Sequence, residues 1–92
     1  GLIVLDVWAP WCGPCRMMAP HFAKAAQAFS GEAVFLKMNA DECSTPAQLG
    51  VRGIPALFMF IDGRKIDHRA GLMTAEALSD WLRSAQQHRR SA

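Results

Sequence analysis

The stretch WAPWCGPCR, residues 8–16, places Cys12 and Cys15 three positions apart, directly after an apolar segment. That segment, Leu2–Trp8, is rich in branched side chains and carries a single acid, which predicts a buried strand. Pro14 suits the first position of a helix, since proline has no N–H group that would be left unpaired there. The two cysteines are therefore predicted to lie where a strand passes through a short loop into the N-terminus of a helix.

Two cysteines at such a place predict redox chemistry. Unpaired backbone N–H groups and the positive end of the helix dipole favour the thiolate form of Cys12. A thiolate is the nucleophile in disulfide exchange. Cys15 lies about one helical turn further on, so its sulfur can reach that of Cys12, attack a mixed disulfide and release the product. The intervening Gly13 and Pro14 keep this turn free of charge and of bulky side chains.

A metal site is the main alternative for these cysteines, and the ligand count argues against it. A structural zinc ion needs four ligands, and one CxxC pair supplies two. The sequence has 3 cysteines, so Cys43 and His21 would have to complete the set. We therefore expect no metal. Cys43 is interpreted as an incidental thiol, with regulatory oxidation as the alternative, because no basic neighbour favours its thiolate.

The rest of the chain predicts an α/β domain around this strand and helix. The helix is expected from Cys15 to about Phe29, with Pro20 inside it, because apolar residues recur there at helical spacing. A parallel strand follows at Ala33–Met38, at the distance of a βαβ crossover. The remaining elements are a short helix at Thr45–Gly50, strands at Ala56–Ile61 and Arg64–Ala70 joined by an Asp62-Gly63 turn, and a helix from Ala75 to about Gln86. The predicted fold is a central mixed sheet of about four strands flanked by helices.

Length and composition indicate one folded domain at residues 1–86, followed by a basic tail at 87–92. The 92 residues are 51% hydrophobic and 20% charged, which excludes a disordered chain. The net charge of +2 comes from Arg89 and Arg90 in the tail, so nucleic acid is not an expected partner. No apolar run approaches the roughly 18 residues of a membrane span. The apolar start is interpreted as a strand and not as a signal peptide, because no basic residue precedes it.

The motif around the cysteines closely resembles the active-site signature of the thioredoxin family. The similarity extends in register from residue 2 to about residue 85 and includes further landmarks of that family: Asp6, Pro20, Lys37, Gly53-Ile54-Pro55, Asp62-Gly63 and Gly71. It implies a thioredoxin-like fold. Thioredoxins begin with a strand and a helix ahead of the strand that carries Asp6, whereas this sequence starts directly at that strand. The outer edge of Ala33–Met38 would then be open and could pair with another chain. We expect a monomer, and a dimer through this edge is the alternative.

The resemblance also assigns roles to residues beyond the cysteines. Asp6 would be a buried acid that exchanges a proton with Cys15, and Lys37 would tune it from the neighbouring strand. An outward-facing acid and an ordinary exposed lysine are the alternatives for these two residues. Pro55 would follow a cis peptide bond and would present the backbone of Ile54 to an extended substrate. The substrate-binding rim would comprise Trp11, Gly13, Pro14, Gly53, Ile54, Pro55, Ala70 and Gly71.

By the same resemblance, the chain is expected to be a protein disulfide reductase that donates electrons to disulfide-containing proteins. Its own donor would be a thioredoxin reductase that uses NADPH and a flavin. This chain would then bind no cofactor and would carry only the redox-active Cys12–Cys15 disulfide. Gly13 and Pro14 resemble reducing members of the family, which implies a cytoplasmic protein, and the sequence has a bacterial character. The alternatives are a periplasmic or membrane-tethered reductant and a non-catalytic docking module on the same fold.

Overall fold

The structure, a computed structural model, describes residues 1–42, 50 and 53–91, with side chains up to Gln87. Its elements are β1 (Leu2–Trp8), α1 (Gly13–Ala28), β2 (Ala33–Asn39), β3 (Ala56–Ile61), β4 (Arg64–Ala70) and α2 (Ala75–Ser91). The predicted order of strands and main helices is confirmed. Except for Gly50, the short helix predicted at Thr45–Gly50 lies outside the described residues, as does Cys43.

The four strands form one mixed sheet in the order β2-β1-β3-β4. β1 runs parallel to β2, and the pairs β1–β3 and β3–β4 are antiparallel. The parallel pair follows from α1, because two parallel strands need a crossover connection between them. In the β1–β2 register, Asp6 lies opposite Lys37. The predicted α/β fold with a mixed four-stranded sheet is therefore confirmed.

The main core lies between one face of this sheet and the two helices. It is made by alternate residues of the central strands, which point to one face, and by the apolar stripes of both helices. Its buried members are Leu2, Val4, Met18, Phe22, Ala25, Phe29, Leu57, Met59, Leu78, Trp81, Leu82 and Ala85. Both helices therefore pack on the same side, and α1 delivers its first turn to the end of β1.

The opposite face of the sheet carries a smaller apolar cluster. Leu5, Val7, Ala56 and Phe58 are buried there. On β2, by contrast, the side chains of Val34 and Leu36 are 55% and 46% exposed. β2 has a strand partner on one side only within the described part of the chain.

Two local features depart from the predicted boundaries. α1 begins at Gly13 and not at Cys15, which makes Pro14 its second residue; the first-turn N–H groups have no helical partner, so proline fits there equally well. α2 continues to Ser91, five residues beyond the predicted end. The apolar stripe stops at Ala85, but no glycine or proline follows to break the helix.

Candidate active site

The two cysteines lie at the start of α1, as their spacing predicts. Cys12 is the N-cap of the helix, with extended backbone angles, and Cys15 lies in the first turn. Their Cα atoms are 5.2 Å apart and their sulfur atoms are joined in a disulfide. The backbone N–H of Cys15 donates a hydrogen bond to Sγ of Cys12 over 3.2 Å. In the reduced protein this donor and the helix dipole favour a thiolate on Cys12.

The loop before Cys12 is held by contacts at three points. The N–H of Cys12 donates to the carbonyl of Ala9 at 3.1 Å. The guanidinium of Arg16 donates to the carbonyl of Pro10 at 2.9 Å, which ties the helix back to the loop. Nε1 of Trp11 donates to a carboxylate oxygen of Asp41 at 2.9 Å. The Trp11 ring is therefore fixed at one end although its side chain is 66% exposed.

Asp6 is a buried acid, as the family resemblance implies, with only 2% of its surface exposed. It shares a face of β1 with Leu2 and Val4, which lie in the core beneath the helices. Burial raises the pKa of its carboxyl group to about 6, and the charge of Lys37 partly opposes this rise. One carboxylate oxygen has no hydrogen-bond partner among the described residues. The group can therefore hold or release a proton close to neutral pH.

Lys37 lies opposite Asp6 in the sheet but makes no ion pair with it within the described chain. Its ammonium group lies over the ring of Trp8, 4.8 Å from the ring centroid. The lysine is exposed, so it acts on the acid as a nearby charge and not as a hydrogen-bond partner. The predicted proximity of the two residues is present, and the ammonium is stabilised by the aromatic ring.

The expected substrate rim adjoins the cysteines through the segment at Ile54. The Ile54–Pro55 peptide bond is cis, as the resemblance implies. Ile54 packs against the buried cluster formed by Ala9, Cys12 and Cys15. The N–H of Gly71 donates to the carbonyl of Pro55 at 2.9 Å. These contacts bring three distant parts of the sequence to one edge of the cysteine site.

The other predicted rim residues differ in backbone conformation and in how far they are exposed. Gly71 has a φ of 85°, which glycine adopts without strain. Ala70 pairs with Ala56 across β3 and β4 and is exposed. Gly53 and Pro14 are also exposed, and Gly13 is half-buried at the start of α1. All of these residues lie in loops or at the ends of helices and strands.

Several residues make contacts or take positions that sequence reasoning did not predict. Nδ1 of His21 accepts a hydrogen bond from the backbone N–H of Ala75 at 3.0 Å. Lys65 and His68 line a cavity beside the rim. Met17 is 66% exposed on α1.

The described residues contain no group of three or more His, Cys, Asp or Glu side chains that could hold a metal ion. Neither helix in the described ranges has the length and hydrophobicity of a membrane span. The site offers the chemistry of two paired sulfur atoms, with the apolar side chain of Ile54 packed beside them and a buried acid on β1. The paired cysteines can pass between disulfide and dithiol without a bound cofactor.

Comparisons with known proteins agree with this arrangement. Residues 1–84 match the family model described as Thioredoxin. The chain is 42% identical over 81 residues to "Thioredoxin" of Haemophilus influenzae, covering 87% of this chain and 76% of that protein. It is 43% identical over 83 residues to "Thioredoxin M2, chloroplastic" of Arabidopsis thaliana, covering 89% of this chain but only 45% of the relative. It thus spans less than half of the plant protein and about three quarters of the bacterial one. The chain belongs to the thioredoxin family of disulfide oxidoreductases.

Proposed function

We propose that this chain is a protein disulfide reductase that transfers two electrons to disulfide-containing proteins. The observation that carries this is the N–H of Cys15 donating to Sγ of Cys12 at the start of α1. In the reduced protein the Cys12 thiolate attacks one sulfur of a substrate disulfide. A mixed disulfide forms, and the other substrate sulfur leaves as a thiolate that takes up a proton.

The second step returns the chain to its disulfide form. The Cys15 thiol loses its proton to the carboxylate of Asp6, and the resulting thiolate attacks Sγ of Cys12. The bond between Cys12 and the substrate breaks, and the second substrate sulfur leaves as a thiolate. The product is a dithiol substrate and the Cys12–Cys15 disulfide, so two electrons have moved. A carboxyl group with a pKa of about 6 is ionised at neutral pH and able to accept this proton.

The oxidised chain must then be reduced by an outside donor. Family membership supports a thioredoxin reductase as that donor and disulfide-containing proteins as the substrates. NADPH and a flavin would enter only through that reductase. No cofactor is expected to bind this chain, because the exchange reaction needs only the two sulfur atoms.

The cellular location and the oligomeric state of the protein are also proposals, and fewer observations support them. We infer a bacterial, cytoplasmic protein, because Gly13 and Pro14 resemble reducing family members and such proteins work where disulfides are transient. The relatives bear both bacterial and chloroplastic names, and a periplasmic or membrane-tethered reductant is the nearer alternative. We propose a monomer. A dimer through the outer edge of β2 would instead give twice the mass in analytical ultracentrifugation.

The proposed activity is tested by reduction of insulin disulfides, with dithiothreitol as donor and Cys12→Ser as the control. We expect the chain to accelerate the reduction and the variant to lose the acceleration. A folded chain that gives no acceleration would contradict the proposal. A non-catalytic docking module would keep its cellular role when both cysteines are replaced by serine, whereas a reductase would lose it.

A further inference from the structure

A cavity of about 440 Å³ adjoins the cysteine site on the face of the sheet opposite the helices. It begins at the rim residues Gly53–Pro55 and Ala70–Gly71 and continues along the paired ends of β3 and β4. Ile54 lines this cavity and also packs against the cluster that contains Cys12 and Cys15. A peptide whose sulfur is bonded to Cys12 and which passes over Ile54 is thus led into the cavity.

The cavity has an apolar floor and two polar side chains above it. Ala56 and Phe58 form the floor and are 7% and 4% exposed. The ammonium of Lys65 lies 5.6 Å from the centroid of the Phe58 ring. The centroid of the His68 ring lies 6.2 Å from the same Phe58 centroid. The lysine supplies a positive charge, and the imidazole supplies an N–H donor in either charge state. Both side chains therefore suit a ligand group that accepts hydrogen bonds and carries negative charge.

The positive charge of Lys65 is not neutralised by the other described residues that line this cavity. None of its lining residues in the described part of the chain is acidic. Arg69 also lines it, but its guanidinium is bonded to Asp67 and lies over the ring of Trp81. Lys65 has no carboxylate partner within 4 Å among the described residues. Its charge is therefore available to a ligand.

We propose that this cavity binds a carboxylate side chain of the substrate and so favours disulfides that have an Asp or Glu residue nearby. The inference rests on the proposed reductase function. An extended peptide rises about 3.3 Å per residue, and β4 has the same rise between Ala70 and Lys65. The favoured acid therefore lies roughly two to five residues from the reacting cysteine. The apolar floor accommodates the aliphatic part of that side chain, while Lys65 and His68 meet its carboxylate.

The test compares symmetrical disulfide dimers of short peptides. Each peptide has one cysteine and either Glu or Gln at two or four residues from it, on either side. The reduced chain is mixed with excess dimer in 20 mM salt, quenched with acid, and the released peptide thiol is measured by chromatography. The rate ratio of the Glu to the Gln peptide is the readout. The Glu-to-Gln rate ratio of the wild type is then divided by the same ratio measured for Lys65→Met. This division removes the effect that Glu has on the reactivity of the peptide's own thiol.

We expect this quotient to be about three for at least one peptide position, as an exposed charge pair allows. Lys65→Met keeps the aliphatic stem over Phe58 and removes only the charge. Lys65→Glu should push the ratio below that of Lys65→Met. Lys24→Glu, an equal charge change at an exposed position of α1, should keep the wild-type ratio. The wild-type preference should vanish in 0.5 M salt.

Equal ratios in the wild type and both Lys65 variants at every peptide position would overturn the inference while leaving the reductase function intact, because the Gln peptides would still be reduced. A shift of the same size in Lys24→Glu would also overturn it, since the effect would then come from net charge. If no peptide is reduced by a folded, fully reduced chain, the proposed function itself fails and this inference fails with it.

Discussion

Nδ1 of His21 on α1 accepts a hydrogen bond from the backbone N–H of Ala75, the first residue of α2. The first N–H groups of a helix have no partner within the helix. Thr74 satisfies a second one, because its side-chain oxygen accepts from the N–H of Ala77 at 3.1 Å. The helix that carries the cysteines therefore caps the helix that follows the rim.

Replacement of His21 should change the hydrogen-exchange rate of the Ala75 amide that it caps. In His21→Ala we expect the amide of Ala75 to exchange its hydrogen about ten times faster than in the wild type, because its acceptor is gone. His21→Asn should retain protection, since the asparagine oxygen can take the place of Nδ1. Hydrogen exchange followed by NMR checks both. The amide of Ala77 is the internal control, and equal exchange of Ala75 in both variants would contradict the prediction.

Cys15→Ser should stop the reaction after its first step. Cys12 can still attack a substrate disulfide, but no second sulfur is present to release the product. We expect a covalent complex with the substrate to accumulate, visible as a band on non-reducing gels that dithiothreitol removes. Cys12→Ser run in parallel should give no such band. A stable complex formed through Cys12→Ser and not through Cys15→Ser would reverse the assigned roles.

Asp6→Asn should stabilise the folded protein at pH 7.5. The pKa of this carboxyl is about 6 in the folded chain against 3.8 ordinarily, so the folded state holds more protons between these values. The free energy of unfolding therefore falls as pH rises through this window, by about 3 kcal/mol for the full shift. Urea unfolding should show a higher midpoint for Asp6→Asn at pH 7.5 and a smaller difference near pH 4. Equal urea midpoints for the wild type and Asp6→Asn at pH 7.5 would contradict this prediction, because the ionised acid would then not lower the free energy of unfolding.

The same substitution should slow catalysis selectively. Asp6 is the proposed acceptor of the Cys15 proton, so without it that thiol should lose its proton less readily; positioned bases commonly contribute about a hundredfold or more. We expect the mixed disulfide in Asp6→Asn to last at least tenfold longer at pH 7, while its formation through Cys12 changes little. Rapid acid quench after mixing with a disulfide substrate separates the two steps. Equal slowing of both steps would point to a structural effect and not to proton transfer.

Much of this site was predictable because its signals are local. The cysteine spacing, the proline between the two cysteines and the apolar strand before them all lie within residues 2–16. Asp62 and Gly63 likewise predicted the hairpin, and both have positive φ angles, 51° and 83°. The cis bond before Pro55 was predictable only through the family resemblance, since most bonds before proline are trans.

The unpredicted features depend on contacts between distant parts of the chain. The pairing of His21 with Ala75 requires knowledge of how two helices pack, which apolar spacing alone does not specify. The cavity beside Phe58 arises from strand register, and the polar pattern of β4 showed only that it is an exposed strand. The end of α2 was placed too early because the apolar stripe, and not the helix, ends at Ala85.

The segment from Gly71 to Ala75 is attached at both ends, to the Pro55 carbonyl at one and to His21 at the other. Between these attachments stands Leu72, whose side chain is 40% exposed. A new side chain at that position alters the exposed surface next to Gly71 without removing either of these two backbone hydrogen bonds. Leu72 is therefore a position at which library mutagenesis can test whether the proposed substrate rim extends beyond Gly71.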